Sequence, residues 1–157
     1  MTPVLERLRR VLPGVWLGLL IGVAGLATPA PFAVLARADA GRVVGRVLAG
    51  EAWTSLALGA VLLLVERRVA AMGAANGAGS RFSGSMVLVL GTLFCTVAGY
   101  FAMQPQLAQA RLGQGLLSFG QLHAVSVAFY ICKLALVAAL AWRAAASAVS
   151  RGPSSSG

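Results

Sequence analysis

Apolar residues along this chain gather into four long runs with almost no charge inside them. No charged residue falls between Arg10 and Arg37, or between Arg81 and Arg111. Between Arg46 and Glu66 the one charge is Glu51, and between Arg111 and Arg143 it is Lys133. A helix needs roughly 20 apolar residues to cross the hydrocarbon core of a bilayer. The runs predict helices from about Leu12 to Leu35, Ala40 to Glu66, Gly84 to Gln104 and Leu116 to Trp142. The chain therefore reads as an all-α polytopic membrane protein, an antiparallel bundle of four transmembrane helices. Residues 1–148 make one domain, with no room for a soluble catalytic module. Residues 149–157, which include Arg151-Gly-Pro-Ser-Ser-Ser-Gly, read as a flexible tail with the look of an appended scar.

Local signals refine these bounds. Pro13 suits the first turn of the first helix, and Thr28, Pro29 and Pro31 loosen its far end. Asp39 is an expected N-cap for the second helix. Ala70 to Ser85, rich in Gly, Ala and Ser, reads as a flexible loop; it lacks the Lys of a phosphate-binding loop. Pro105 is expected to stop the third helix, and an amphipathic connection through Arg111 follows.

Composition narrows the function classes. The formal net charge of +9 invites a nucleic-acid reading, but the basic residues sit at the ends of the apolar runs, with no basic stripe and no interleaved aromatics. That is how topology is signalled in membrane proteins, and nucleic acid is excluded as a partner. Arg7, Arg9, Arg10, Arg67, Arg68, Arg81, Arg143 and Arg151 fall on one side, against Arg37, Arg42, Arg46 and Arg111 on the other. The excess places both termini in the cytoplasm. The first run is far longer than the roughly 7–15-residue apolar core of a signal peptide, so it reads as a retained helix. Cys95 and Cys132 lie inside apolar runs and do not form the framework of a secreted protein.

Ionisable residues inside the runs carry the chemistry. In the fourth helix Phe119, His123, Ser126, Tyr130, Lys133 and Val137 recur at alternating spacings of three and four, which puts them on one face. Such a face points into a bundle or a wet cavity. At roughly 1.5 Å per residue from the cytoplasmic helix ends, Lys133 lies about 13 Å deep, Glu51 about 22 Å, Tyr100 about 24 Å, and His123 and Met103 about 28 Å. Cys95 and Cys132 come out together at about 15–17 Å. Arg46, Glu51, Tyr100, His123, Ser126, Tyr130 and Lys133 are thus expected to line one polar interior.

Two readings of that interior stand side by side. A charge at a helix centre costs about 2.5–3.5 kcal/mol on insertion scales, so Glu51 is retained either as a structural pair with Arg46 or Lys133 that fixes helix register, or as part of a cavity that responds to a proton or ligand. His123 has its own pair of readings: a hydrogen-bonded packing residue, or a soft metal ligand with Met103, compatible with copper or a haem axial pair. No nucleophile–base arrangement or carboxylate pair is credible, and of Glu6, Asp39, Glu51 and Glu66 only Glu51 is expected to be buried. The reading leans away from an enzyme.

Small residues mark a packing surface. Gly14, Gly18, Gly22 and Gly25 line one face of the first helix, and Gly41 and Gly45 repeat the spacing in the second, with Ala52 and Gly59 further along. Such faces let backbones approach closely. Packing within the chain is the plainer expectation, and a homo-oligomer or larger complex the other.

Three segments also carry a resemblance: Trp16-Leu17-Gly18, then Pro29-Ala30-Pro31-Phe32-Ala33-Val34-Leu35, then Ala40-Gly41-Arg42-Val43-Val44-Gly45-Arg46. With Leu122-His123-Ala124-Val125-Ser126, they resemble a small bacterial membrane family, the domain of unknown function 4149, akin to the transmembrane protein 205 group. That family is distantly similar to CopD-type copper-resistance proteins and a haem-binding protoporphyrinogen oxidase group. The resemblance implies a four-helix unit in the bacterial inner membrane and brings in haem or copper as cofactors. The function readings are therefore a protein handling a small solute, ion or metal through its polar interior, a structural or accessory subunit of a membrane complex, and a haem- or copper-associated redox protein.

Overall fold

The computed structural model describes residues 3–77, 82–115 and 117–149; of the tail expected at 149–157, Val149 is the last helical residue and 150–157 lie outside the described residues. Four helices long and apolar enough to cross a membrane make up the described chain: α1 (Pro3–Val34), α2 (Arg37–Ala75), α3 (Gly84–Arg111) and α4 (Phe119–Val149). Each neighbour pair in the ring α1–α2–α3–α4–α1 packs together, so α1 lies diagonal to α3, and α2 diagonal to α4.

Helix ends differ from the expected bounds for local reasons. Pro3, not Pro13, occupies the first turn of α1; Pro13 is buried inside the helix. Ala36 caps α2, and Asp39 sits in its first turn, where it accepts from Arg42 one turn on. The segment expected to be a loop from Ala70 stays helical to Ala75, because it is Ala-rich and meets no breaker until Asn76-Gly77. Gly77 then takes a positive φ of 71° and closes the C-terminus. Ser83 starts α3 by accepting from the Met86 amide. In front of α4, Ser118 and Gln121 exchange hydrogen bonds as a capping box, which sets the helix start at Phe119 rather than Leu116.

Pro105 does not stop α3. The helix widens to π geometry over Val97–Ala102 and resumes as α at Met103, so Pro105 falls in the first turn of the resumed segment, where its missing N–H costs little. α1 uses the same device. It is π-helical over Val23–Ala27, Thr28 donates both its amide and its hydroxyl to the Val23 carbonyl, and Pro29 and Pro31 follow at the restart. The loosening predicted at Thr28–Pro31 is this π turn.

Apolar side chains face outward and polar ones inward. Val15, Ile21, Leu26, Trp53, Leu64, Val87, Phe94, Ile131 and Trp142 are exposed, whereas Glu51, Ser55, Glu66, Thr92, Thr96 and Lys133 are buried. A water-facing surface of that kind would associate or aggregate; a lipid-facing one is ordinary. The protein is therefore an integral membrane protein in a lipid bilayer. A small apolar core, Trp16, Leu20, Leu62, Val89, Val137 and Leu140, fills the half of the bundle nearer the termini.

The tight backbone contacts lie elsewhere than on α1. A Cβ added at Gly59 would meet Leu93, one at Gly91 would lie 3.1 Å from Leu136, and one at Gly99 would overlap Phe129. At Gly14, Gly18, Gly22, Gly25, Gly41 and Gly45 nothing lies within 4 Å. The faces expected to pack inside the chain are open, because α1 turns Trp16 and Leu20, not its glycines, toward the core. This asymmetry is testable by unfolding titrations in mixed micelles. Gly99→Leu, which overpacks the α3–α4 contact, should cost about 1–3 kcal/mol or more. Gly50→Ala, at a position with open space, should be neutral or slightly stabilising.

Candidate functional site

One polar network runs through the bundle. Trp16 Nε1 on α1 donates to Ser55 Oγ on α2 at 2.9 Å. Ser55 Oγ, one turn beyond Glu51, donates to Glu51 Oε1. Lys133 Nζ on α4 donates to Glu51 Oε1 at 2.7 Å and to Oε2 at 2.9 Å. The ammonium also sits 4.7 Å from the centre of the Tyr130 ring, and the Tyr130 hydroxyl donates back to the Leu20 carbonyl of α1 at 2.9 Å. Trp16 and Ser55 are 0% exposed, Glu51 5% and Lys133 3%.

The spacing of these residues dictates the network. Glu51 and Ser55 share a face of α2 at i,i+4, and Tyr130 and Lys133 share a face of α4 at i,i+3. Because α2 and α4 are diagonal neighbours, the ion pair lies across the bundle axis rather than along one helix seam. Of the two partners expected for Glu51, Lys133 is the one that reaches it. Arg46 is exposed at the far end of α2. The estimated depths of Glu51 and Lys133 differed; the long Lys stem, leaning toward the N-terminus of α4, bridges the difference.

Not every residue of the expected interior joins this network. Ser126 is half-buried and donates to the Gly99 carbonyl inside the π turn of α3 at 2.8 Å, which couples α4 to α3. Tyr100 is half-buried and packs edge-on against Phe101. His123 is exposed and stacks on Phe119, 5.9 Å between ring centres, while Arg111 lies 5.0 Å over the same Phe119 ring. The polar stripe of α4 thus leaves the bundle at its first turns. Met103 is half-buried. Among the described residues there is no group of three or more His, Cys, Asp or Glu side chains able to hold a metal ion.

A second buried carboxylate went unforeseen. Glu66 is 4% exposed and accepts from Arg9 Nε at 2.6 Å and from Ser83 Oγ at 3.3 Å. It ties α1, α2 and the entry to α3 at the end of the bundle that holds the termini. The signal was present in the chain: Glu66 closes an apolar run, and α1 has three Arg residues at the same end. The expectation that α2 ended at Glu66 hid it, since a helix that continues to Ala75 keeps this residue against its neighbours.

Chemically, the central site is closed. Each carboxylate oxygen of Glu51 has a donor, and Lys133 directs one face at the carboxylate and another at an aromatic ring. This is the arrangement that lets a charge pair persist in low dielectric, where an unpaired ion costs several kcal/mol. Ser55→Ala and Trp16→Phe should therefore destabilise the protein by about 1–3 kcal/mol, as expected for lost buried hydrogen bonds to or beside a charge. His123→Ala should stay within about 0.5 kcal/mol of the parent. Unfolding titrations of the three variants check both outcomes.

The chain is similar to one described family. The profile of the domain of unknown function DUF4149 matches residues 11–115, which span most of α1, all of α2 and α3, and stop short of α4. No curated protein and no solved structure matches the chain. With more than half of its length matched, including the segments around Trp16, Pro29 and Glu51, the chain belongs to the DUF4149 family.

Proposed function

We propose that this protein is a non-enzymatic accessory subunit of the bacterial inner membrane, in which the Glu51–Lys133 pair fixes helix register and the open glycine faces receive another membrane helix. The closed network carries this reading. Among the described residues Glu51, Ser55, Trp16 and Lys133 direct their polar atoms at one another, so this network offers a solute or ion no group that is not already engaged. A path through the polar interior would need the pair to open, at the expense of leaving two buried charges uncompensated. A haem or copper role would rest on His123 and Met103, and His123 lies outside the bundle interior.

The glycine faces support the second half of the proposal. Gly14, Gly18, Gly22 and Gly25 present a backbone surface that another helix can approach closely. A Gly18→Leu/Gly22→Leu variant should fold normally and lose its higher assembly. Detergent-resolved mass checks this; an unchanged mass in a well-folded variant counts against the proposal. Co-purification of an untagged membrane partner, lost in the same variant, supports a larger complex over a homo-oligomer.

The excess of Arg at the end that holds Arg7, Arg9, Arg10, Arg67, Arg68 and Arg143 supports an orientation with both termini in the cytoplasm. Reporter fusions should read as cytoplasmic after Ala75 and as exported after Gln109. The reverse pattern would invert the orientation.

A further inference from the structure

The α3–α4 contact has a regular register. Gly84 lies against Arg143, Gly91 against Leu136, and Gly99 against Phe129. Phe94 meets Phe129 edge-on at 6.1 Å, and Ser126 bonds to the Gly99 carbonyl. Cys95 lies one turn beyond Gly91, and Cys132 one turn before Leu136. In an antiparallel pair the register of Gly91 on Leu136 and Gly99 on Phe129 places them opposite each other. Both are free thiols; Cys95 is buried, and Cys132 is exposed.

We propose that Cys95 and Cys132 form a redox-active dithiol within the membrane, closed to an intramolecular disulfide by a lipid-soluble quinone. A disulfide needs a Cα separation of roughly 4.4–6.8 Å, shorter than most helix–helix contacts allow. Gly91 and Gly99, one turn to either side of Cys95, permit that approach: a Cβ at either would press into Leu136 or Phe129. Small residues at four-residue intervals on α3, Gly91, Cys95 and Gly99, thus serve the pair as well as the packing.

Access decides the oxidant. Cys132 is exposed on a helix whose outer surface, with Ile131 and Val127, is apolar. A reagent reaching it must partition into the hydrocarbon. In the reaction two S–H bonds break and one S–S bond forms. Two electrons and two protons pass to the quinone, which leaves as the hydroquinone. The thiol partner is already in place, so the step needs no resolving cysteine from another chain. The product crosslinks α3 to α4 beside Lys133, which follows Cys132 in the chain.

The experiment uses the full chain, reduced and then reconstituted in phosphatidylcholine vesicles. It is exposed to duroquinone, whose fully substituted ring disfavours thiol addition. Intact mass and maleimide–polyethylene glycol labelling of the denatured protein read the outcome. The expected product is a monomer lighter by two hydrogen atoms, with neither thiol labelled and both restored by dithiothreitol. Cys95→Ser and Cys132→Ser should each abolish it while leaving the fold intact by circular dichroism. If copper phenanthroline closes the bond and duroquinone does not, the quinone assignment is overturned. If both thiols stay labelled under either oxidant, or Cys132 crosslinks only to another chain and Cys95→Ser makes no difference, the dithiol itself is overturned.

Discussion

A carboxylate and an ammonium paired across the axis of a membrane bundle constrain everything packed around them. Neither Glu51 nor Lys133 can reach water without crossing part of the hydrocarbon, and neither tolerates that position alone. Their meeting sets the rotation of α2 and α4 about their own axes and their relative height. Ser55 and Trp16 extend the constraint to α1, and the Tyr130 hydroxyl returns it to the Leu20 carbonyl. Three of the four helices are thus held by one hydrogen-bonded circuit, in a medium where apolar packing between helices has no hydrophobic driving force.

The fourth helix is held differently. α3 contributes no charge to the circuit. It joins through Ser126 on its Gly99 carbonyl and through glycines that let Leu93, Phe129 and Leu136 press against backbone. Its π turn and that of α1 each release the helix ahead of a proline, and helix four bonds to carbonyls in or beside both. Widened turns leave backbone groups for outside donors, and Ser126 uses one of them. A second ion pair, buried Glu66 with half-buried Arg9, closes the bundle where the Arg residues gather.

The spans were legible because charge is so scarce: gaps between ionisable residues mark four crossings with little ambiguity. The pairing was legible only as an alternative. Arg46 and Lys133 were both in reach of Glu51 on depth counted from helix ends, and that count inherits any error in where a helix stops. Residues 67–75 extend α2 by about two and a half turns past its expected end, and this moves Glu66 from a helix end to a buried contact. His123 shares a helical face with Lys133, yet periodicity does not say how far along a helix its neighbours continue; at the start of α4 Leu122 is buried while the His123 face is exposed. The glycines of α1 have the spacing of a packing face but no partner among the described residues, whereas Gly99, which belongs to no such run, and Gly59, further along α2, make the closest contacts. Spacing identifies a surface that another backbone could approach. Which backbone does so is a property of the assembled fold.

The central claim is that Glu51 and Lys133 act as one unit. The most direct test is a double-mutant cycle with Glu51→Gln and Lys133→Met, read by reversible unfolding in mixed micelles. Each single variant leaves a buried polar or charged group without its partner and should lose about 3–5 kcal/mol, while the double variant should recover most of that loss. Single losses that are small and simply add in the double variant would contradict the account, because two independent residues could not hold the bundle in register.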